Sequence, residues 1–76
     1  MSVERLRNLL DQAFPDSEVN VEDRTGGGDH FQVSVASARF DALPLLEQHR
    51  LVNEALAAPL ADGTIHELRI RTKGTQ

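Results

Sequence analysis

The sequence predicts an α+β fold in which a three-stranded mixed sheet packs on helices, in the order helix, strand, strand, short helix, helix, strand. Three observations carry this. Residues 18–24, 30–37 and 65–72 alternate apolar and polar side chains, the period of two that sends neighbours to opposite faces of a strand. Residues 3–14 and 45–56 instead repeat their apolar residues every three or four positions, as helices with one buried face do. No linker or internal repeat interrupts the 76 residues, so one domain is expected over residues 1–76.

Ser2 can cap the first helix, and Val3, Leu6, Leu9, Leu10, Ala13 and Phe14 form its apolar face before Pro15 ends it. The first strand sets Val19 and Val21 against Glu18, Asn20 and Glu22, a short acidic pattern suited to a sheet edge. Thr25-Gly26-Gly27-Gly28-Asp29 then lets the chain reverse through positive φ. This run leads into a strand rather than a helix N-terminus, so a hairpin turn, or a mobile loop holding His30 near a partner, fits better than a phosphate cradle. The second strand points Phe31, Val33 and Val35 to the core and His30, Gln32 and Ser34 away from it. Ser37 is placed to cap a short turn carrying Phe40, and Pro44 falls in the first turn of a longer helix. That helix is expected to bury Leu45, Leu46, His49, Val52 and Leu56, to keep Glu47, Arg50 and Glu54 in solvent, and to break at Pro59 and Gly63. A lone histidine in such a stripe is expected to be half-buried and bonded to a neighbouring backbone carbonyl. The last strand gives His66, Leu68 and Ile70 the core-facing parity, and Glu67, Arg69 and Arg71 the other.

A domain this short buries only about 60% of its unfolded surface, so its stability is expected to be marginal. With no cysteine, the chain has no disulfide, thiolate ligand or thiol nucleophile. The formal net charge of −4 weighs against non-specific nucleic-acid binding. Arg69, Arg71 and Lys73 nevertheless form a short basic stripe, either a phosphate contact or a solvated strand face. The opening residues carry Glu4, Arg5 and Arg7 and no continuous apolar run, so a soluble, cytoplasmic, non-membrane protein is expected. No nucleophile has a base beside it in the pattern, and no carboxylates pair in an apolar setting, so the chain is not expected to be an enzyme.

One spatial inference bears on chemistry. A crossover from the second strand through the helices to the third should be right-handed and leave those strands parallel. Parallel neighbours start at the same end of a sheet, so His30 and His66 should converge there, beside the glycine loop. Neutral imidazoles are good ligands for iron, zinc or copper, but two alone rarely make a tight site, and Asp29 is the nearby third candidate. Metal ligands and two ordinary surface histidines both satisfy this pattern.

Phe31, the strand VSVAS ending at Ser37, Phe40 three residues later, LLEQHRLVNEAL on the helix and the Ile65-His66 pair together resemble the BolA family. The likeness runs from the first helix to Thr72. It implies a class II KH-like fold and a non-enzymatic adaptor that binds a monothiol glutaredoxin and co-ligates a [2Fe-2S] cluster. In the family picture the glutaredoxin gives a cysteine and a bound glutathione its thiolate. The BolA-like chain gives the histidine opening its last strand, here His66, and a loop histidine or cysteine, for which His30 is the candidate. The isolated chain is then expected to be a monomer without metal. The resemblance also implies an alternative role as a nucleic-acid-binding transcriptional regulator in stress responses, through Arg39, Arg50, Arg69, Arg71 and Lys73. The glycines of a KH GXXG loop are missing, since Asp41-Ala42-Leu43-Pro44 occupies the equivalent connection. A further departure is Gln48, where many members have arginine.

Overall fold

Helix α1 (Val3–Ala13) begins where its cap lies: Ser2 is extended and its Oγ accepts the Arg5 N–H at 3.2 Å. The computed structural model describes residues 1–75, and Gln76 lies outside the described residues. Leu6, Leu10 and Phe14 bury the inner face of α1 completely or nearly so. Strands β1 (Glu18–Asp23) and β2 (His30–Ala36) follow as an antiparallel pair with Val19 opposite Val35 and Val21 opposite Val33. Ser37 Oγ accepts the Arg39 N–H and so caps one turn of 3-10 helix, Ala38–Phe40. Helices α2 (Leu45–Ala55) and α3 (Ala57–Ala61) lead to β3 (Glu67–Lys73). The sheet order is β1-β2-β3, with β2 and β3 parallel.

The helices cover one face of the sheet. Phe31, Val33 and Val35 of the central strand are buried there with Leu6, Leu10, Phe14, Val19, Phe40, Val52, Leu56 and Ile65. Phe14 and Phe40 meet with their ring centroids 5.4 Å apart and their planes tilted by 58°. The opposite sheet face carries the polar residues of the alternation and has no helix over it. No helix among the described residues is long and apolar enough to cross a membrane.

The short turn carrying Phe40 is one turn of 3-10 helix, while other expectations are corrected: the long helix ends at Ala55, with Leu56 as its C-cap, rather than running to Pro59. Pro59 instead lies inside the first turn of α3, where a missing N–H breaks no helical bond. The buried face of α2 is also turned from the expected stripe. It runs through Gln48, Leu51, Val52, Ala55 and Leu56, an i, i+3, i+4, i+7, i+8 set, while Leu45 and Leu46 are 61% and 79% exposed. His49 is half-buried as expected, but its imidazole makes no hydrogen bond among the described residues. Last, β3 starts at Glu67, so His66 precedes the strand rather than opening it on the core side.

Gln48 explains the rotation of α2. Its Nε2 donates to the carbonyls of Phe40 and Leu43 at 3.2 and 2.8 Å, and its Oε1 accepts the Thr72 hydroxyl at 2.6 Å. One amide thus ties α2 to the connection before it and to the last strand. Leu68 and Ile70 pack beneath on the same side of the sheet.

Gln48→Ala should cost about 2 kcal/mol in urea unfolding, because it leaves the partly buried Leu43 carbonyl and Thr72 hydroxyl without their partner, while the Phe40 carbonyl keeps the Leu43 N–H. Phe31→Ala should cost about 3–5 kcal/mol, enough to unfold much of a domain this small. Leu46→Ser should stay within about 0.5 kcal/mol of the parent, since that leucine is outside the core.

Candidate metal centre

The parallel pairing of β2 and β3 opposes His30 to Glu67, so the residue before β3, His66, falls beside the residue before β2, Asp29. Two main-chain bonds lock this register: the N–H groups of His66 and Glu67 both donate to the Asp29 carbonyl, at 2.8 and 3.2 Å. His30 and His66, thirty-six positions apart in sequence, therefore stand with ring centroids 6.2 Å apart and planes at 76°. The expected convergence is present.

The side chain of Asp29 lies between the two rings. His30 Nδ1 is hydrogen-bonded to Oδ1 at 2.9 Å and His66 Nδ1 lies 3.2 Å from Oδ2, so each carboxylate oxygen faces one imidazole. Partial burial raises the Asp29 pKa, but the hydrogen bonds and charges of His30 and then His66 outweigh it and hold the carboxyl below its ordinary value. Asp29 was the candidate third ligand, yet both of its oxygens are committed to the histidines. No group of three or more His, Cys, Asp or Glu side chains is placed to hold a metal ion among the described residues. Among the described residues, the edge presents two imidazoles and no third group placed to join them on a metal ion. The His66 side chain is 63% exposed and that of His30 33%, so both are open to a partner.

The glycine loop supports this edge rigidly, through a device that composition alone did not reveal. Asp23, at the end of β1, accepts the N–H groups of Thr25 and Gly26 on Oδ1 at 3.3 and 2.9 Å, and that of Gly28 on Oδ2 at 3.0 Å. Gly26 and Gly28 both take φ of +76°, which the arrangement requires and other residues resist. Those N–H groups are unavailable to a phosphate. The signal was an aspartate two residues before Thr25-Gly26-Gly27-Gly28, with the spacing of an Asx turn. The Met1 ammonium also donates to the Gly28 carbonyl at 2.9 Å.

The five cations of the nucleic-acid alternative do not share one surface. Arg39 lies 5.1 Å above the Phe14 ring and donates to the Ala13 carbonyl at 2.7 Å, closing the C-terminal end of α1. Arg50 stands between Glu47 and Glu54 at 3.5 Å from each, on α2. Arg69, Arg71 and Lys73 project from the uncovered sheet face, where Arg69 meets Glu67 at 3.2 Å. Arg71 and Lys73 border a shallow groove whose far side is Glu18 and Asn20 of β1.

A carboxylate with a lowered folded-state pKa stabilises above its unfolded value and loses that contribution as pH falls through the folded one. The stability difference between the parent and Asp29→Asn should therefore be largest above about pH 5 and close as acid unfolding is followed below the ordinary carboxylate range near 3.9. Thermal melts of both proteins across that range test this.

Comparison with known proteins agrees with this fold. The family model described as BolA-like protein matches residues 10–76. The chain is 35% identical over 72 residues to an uncharacterised protein of Rickettsia prowazekii (strain Madrid E), covering 95% of this chain and 92% of that protein. It is similar to BolA-like protein 1 of Mus musculus at 37% identity over 75 residues, covering 90% of this chain but 54% of the mouse protein, about half its length. Among solved structures, BolA1 from Arabidopsis thaliana superposes with a TM-score of 0.86 at 30% identity, covering 96% of this chain and 90% of that one. A family model spanning most of the chain, a relative matched along nearly its whole length and a shared fold lead to one conclusion: this chain belongs to the BolA family.

Proposed function

We propose that this chain is a non-catalytic, cytoplasmic adaptor that binds a monothiol glutaredoxin and co-ligates a [2Fe-2S] cluster, in iron–sulfur cluster trafficking or iron and redox regulation. The observation that carries this reading is the pair of imidazoles, His30 and His66, presented together at one exposed edge with no third metal-binding group beside them among the described residues. Such a donor set fits half of a cluster site. The chain has no cysteine, so thiolates for the other iron must come from the glutaredoxin and its glutathione. When bound, the cluster supplies one-electron chemistry, and histidine ligation raises its potential relative to an all-thiolate site. The residues of this chain contribute orientation: His66 and His30 are held at fixed separation by Asp29, and the glycine loop is held by Asp23. Alone, the protein is proposed to be a monomer without metal.

A second reading, direct nucleic-acid contact, is favoured by one observation: Arg69, Arg71 and Lys73 occupy successive outward positions of β3. Glu18 and Glu22 project from β1 on the same uncovered face, and Arg39 and Arg50 are engaged on the helical side. This reading therefore ranks second.

Mixing the chain anaerobically with a monothiol glutaredoxin, glutathione, iron and sulfide should give a heterodimer whose visible spectrum differs from that of the glutaredoxin alone. His66→Ala should change stability by no more than about 0.5 kcal/mol, because that side chain is largely solvated, and should abolish the new spectrum. An unchanged spectrum would overturn the assignment of His66. Failure of any complex, with salt-sensitive retention on duplex DNA lost in Arg71→Ala, would favour the second reading.

A further inference from the structure

We infer that Asp29 is a positioning residue that turns the Nε2 atoms of both His30 and His66 outward as the ligand atoms of the site. The inference rests on the proposed two-histidine half-site and deepens it by naming the coordinating nitrogen and the group that selects it. An ionised carboxylate only accepts hydrogen bonds, so His30 Nδ1, bonded to Oδ1 at 2.9 Å, carries the proton, and His66 Nδ1, 3.2 Å from Oδ2, is the ring nitrogen that faces the same carboxylate. Both contacts are made through Nδ1. In the neutral ring the other nitrogen, Nε2, then keeps its lone pair. One carboxylate thus sets the tautomer of two imidazoles at once and leaves both with the same atom free.

The backbone reinforces the arrangement. The Asp29 carbonyl accepts the N–H groups of His66 and Glu67, so the residue that orients the rings also anchors the start of β3 beside β2. Among the described residues, the other charged group near a free nitrogen is Glu67, whose Oε2 is 3.9 Å from His30 Nε2, beyond hydrogen-bond length. Glu67 is drawn instead to Arg24 and Arg69, at 3.7 and 3.2 Å from its Oε1. His66 Nε2 has no ion-pair partner among the described residues. Carboxylates that hold the remote nitrogen of a metal-bound imidazole fix ring orientation and raise ligand basicity, and their loss typically weakens binding by about 10–100-fold. The adjacency of Asp29 to His30 in sequence gave no hint that it also reaches His66.

The test reads the isolated protein, so it does not depend on cluster assembly. Long-range proton–nitrogen NMR on the histidine-labelled chain at mildly alkaline pH reports which nitrogen carries the proton. The expected result is an Nδ1–H tautomer for His30 and His66 in the parent, and loss of that preference at both rings in Asp29→Ala. His49, which makes no contact with Asp29, serves as the unaffected reference. An Nε2–H tautomer at either ring of the parent overturns the proposal, whether or not Asp29→Ala folds, and so does an unchanged tautomer in a folded Asp29→Ala. If the parent tautomers are as expected but no complex with glutaredoxin forms, the positioning stands and the shared-cluster reading falls. If the complex forms with the tautomers reversed, the opposite holds.

Discussion

The parallel pairing of β2 and β3 is the constraint on which the rest of this molecule depends. The chain leaves β2, crosses through α2 and α3 and returns as β3, which pairs with β2 in parallel at the end of the sheet order β1-β2-β3. Direction alone brings the starts of the two strands to one edge. Register then decides which residues meet, and register is set by the Asp29 carbonyl, which takes the first two N–H groups of the returning chain. Two histidines far apart in sequence become neighbours as a result of sheet topology, with no loop built specially to join them.

The same physics explains why the site is incomplete. A sheet edge formed by two strand starts offers two side chains on its open side, and here the third polar group, Asp29, is bonded to both of them. The chain can orient two imidazoles but cannot enclose an ion. The proposed shared site, with its remaining ligands on a partner, agrees with the exposure of His66 and with the absence of cysteine. The Asp23 cradle adds stiffness at the edge without adding ligands, since it fixes the glycine loop through backbone N–H groups that would otherwise face solvent.

Much of this was legible in the sequence because period-two alternation in 18–24 and 30–37 marks the two strands to within a residue of their ends, and because a right-handed crossover was expected to make β3 parallel to β2. The ranges of α1, β1 and β2, the Ser2 and Ser37 caps and the meeting of His30 with His66 all follow from local pattern plus the crossover rule. The face of α2 did not, because two apolar stripes compete on it. Leu45, Leu46 and His49 look like core, while the true inner face includes a glutamine whose value lies in three hydrogen bonds to distant segments rather than in its hydropathy. For a similar reason the role of Asp29 escaped a linear reading: its second partner is on another strand, and an acidic residue beside a histidine looks like a ligand until both of its oxygens are seen to be occupied.

The central claim is that this chain contributes two imidazole nitrogens to a cluster otherwise held by its partner. The most direct measurement is electron–nuclear double resonance on the reduced heterodimer, with nitrogen-15 histidine incorporated only into this chain. The account predicts two strongly coupled nitrogens, of which one is lost in His66→Ala and the other in His30→Ala. A reduced cluster with no coupling to labelled nitrogen would contradict it.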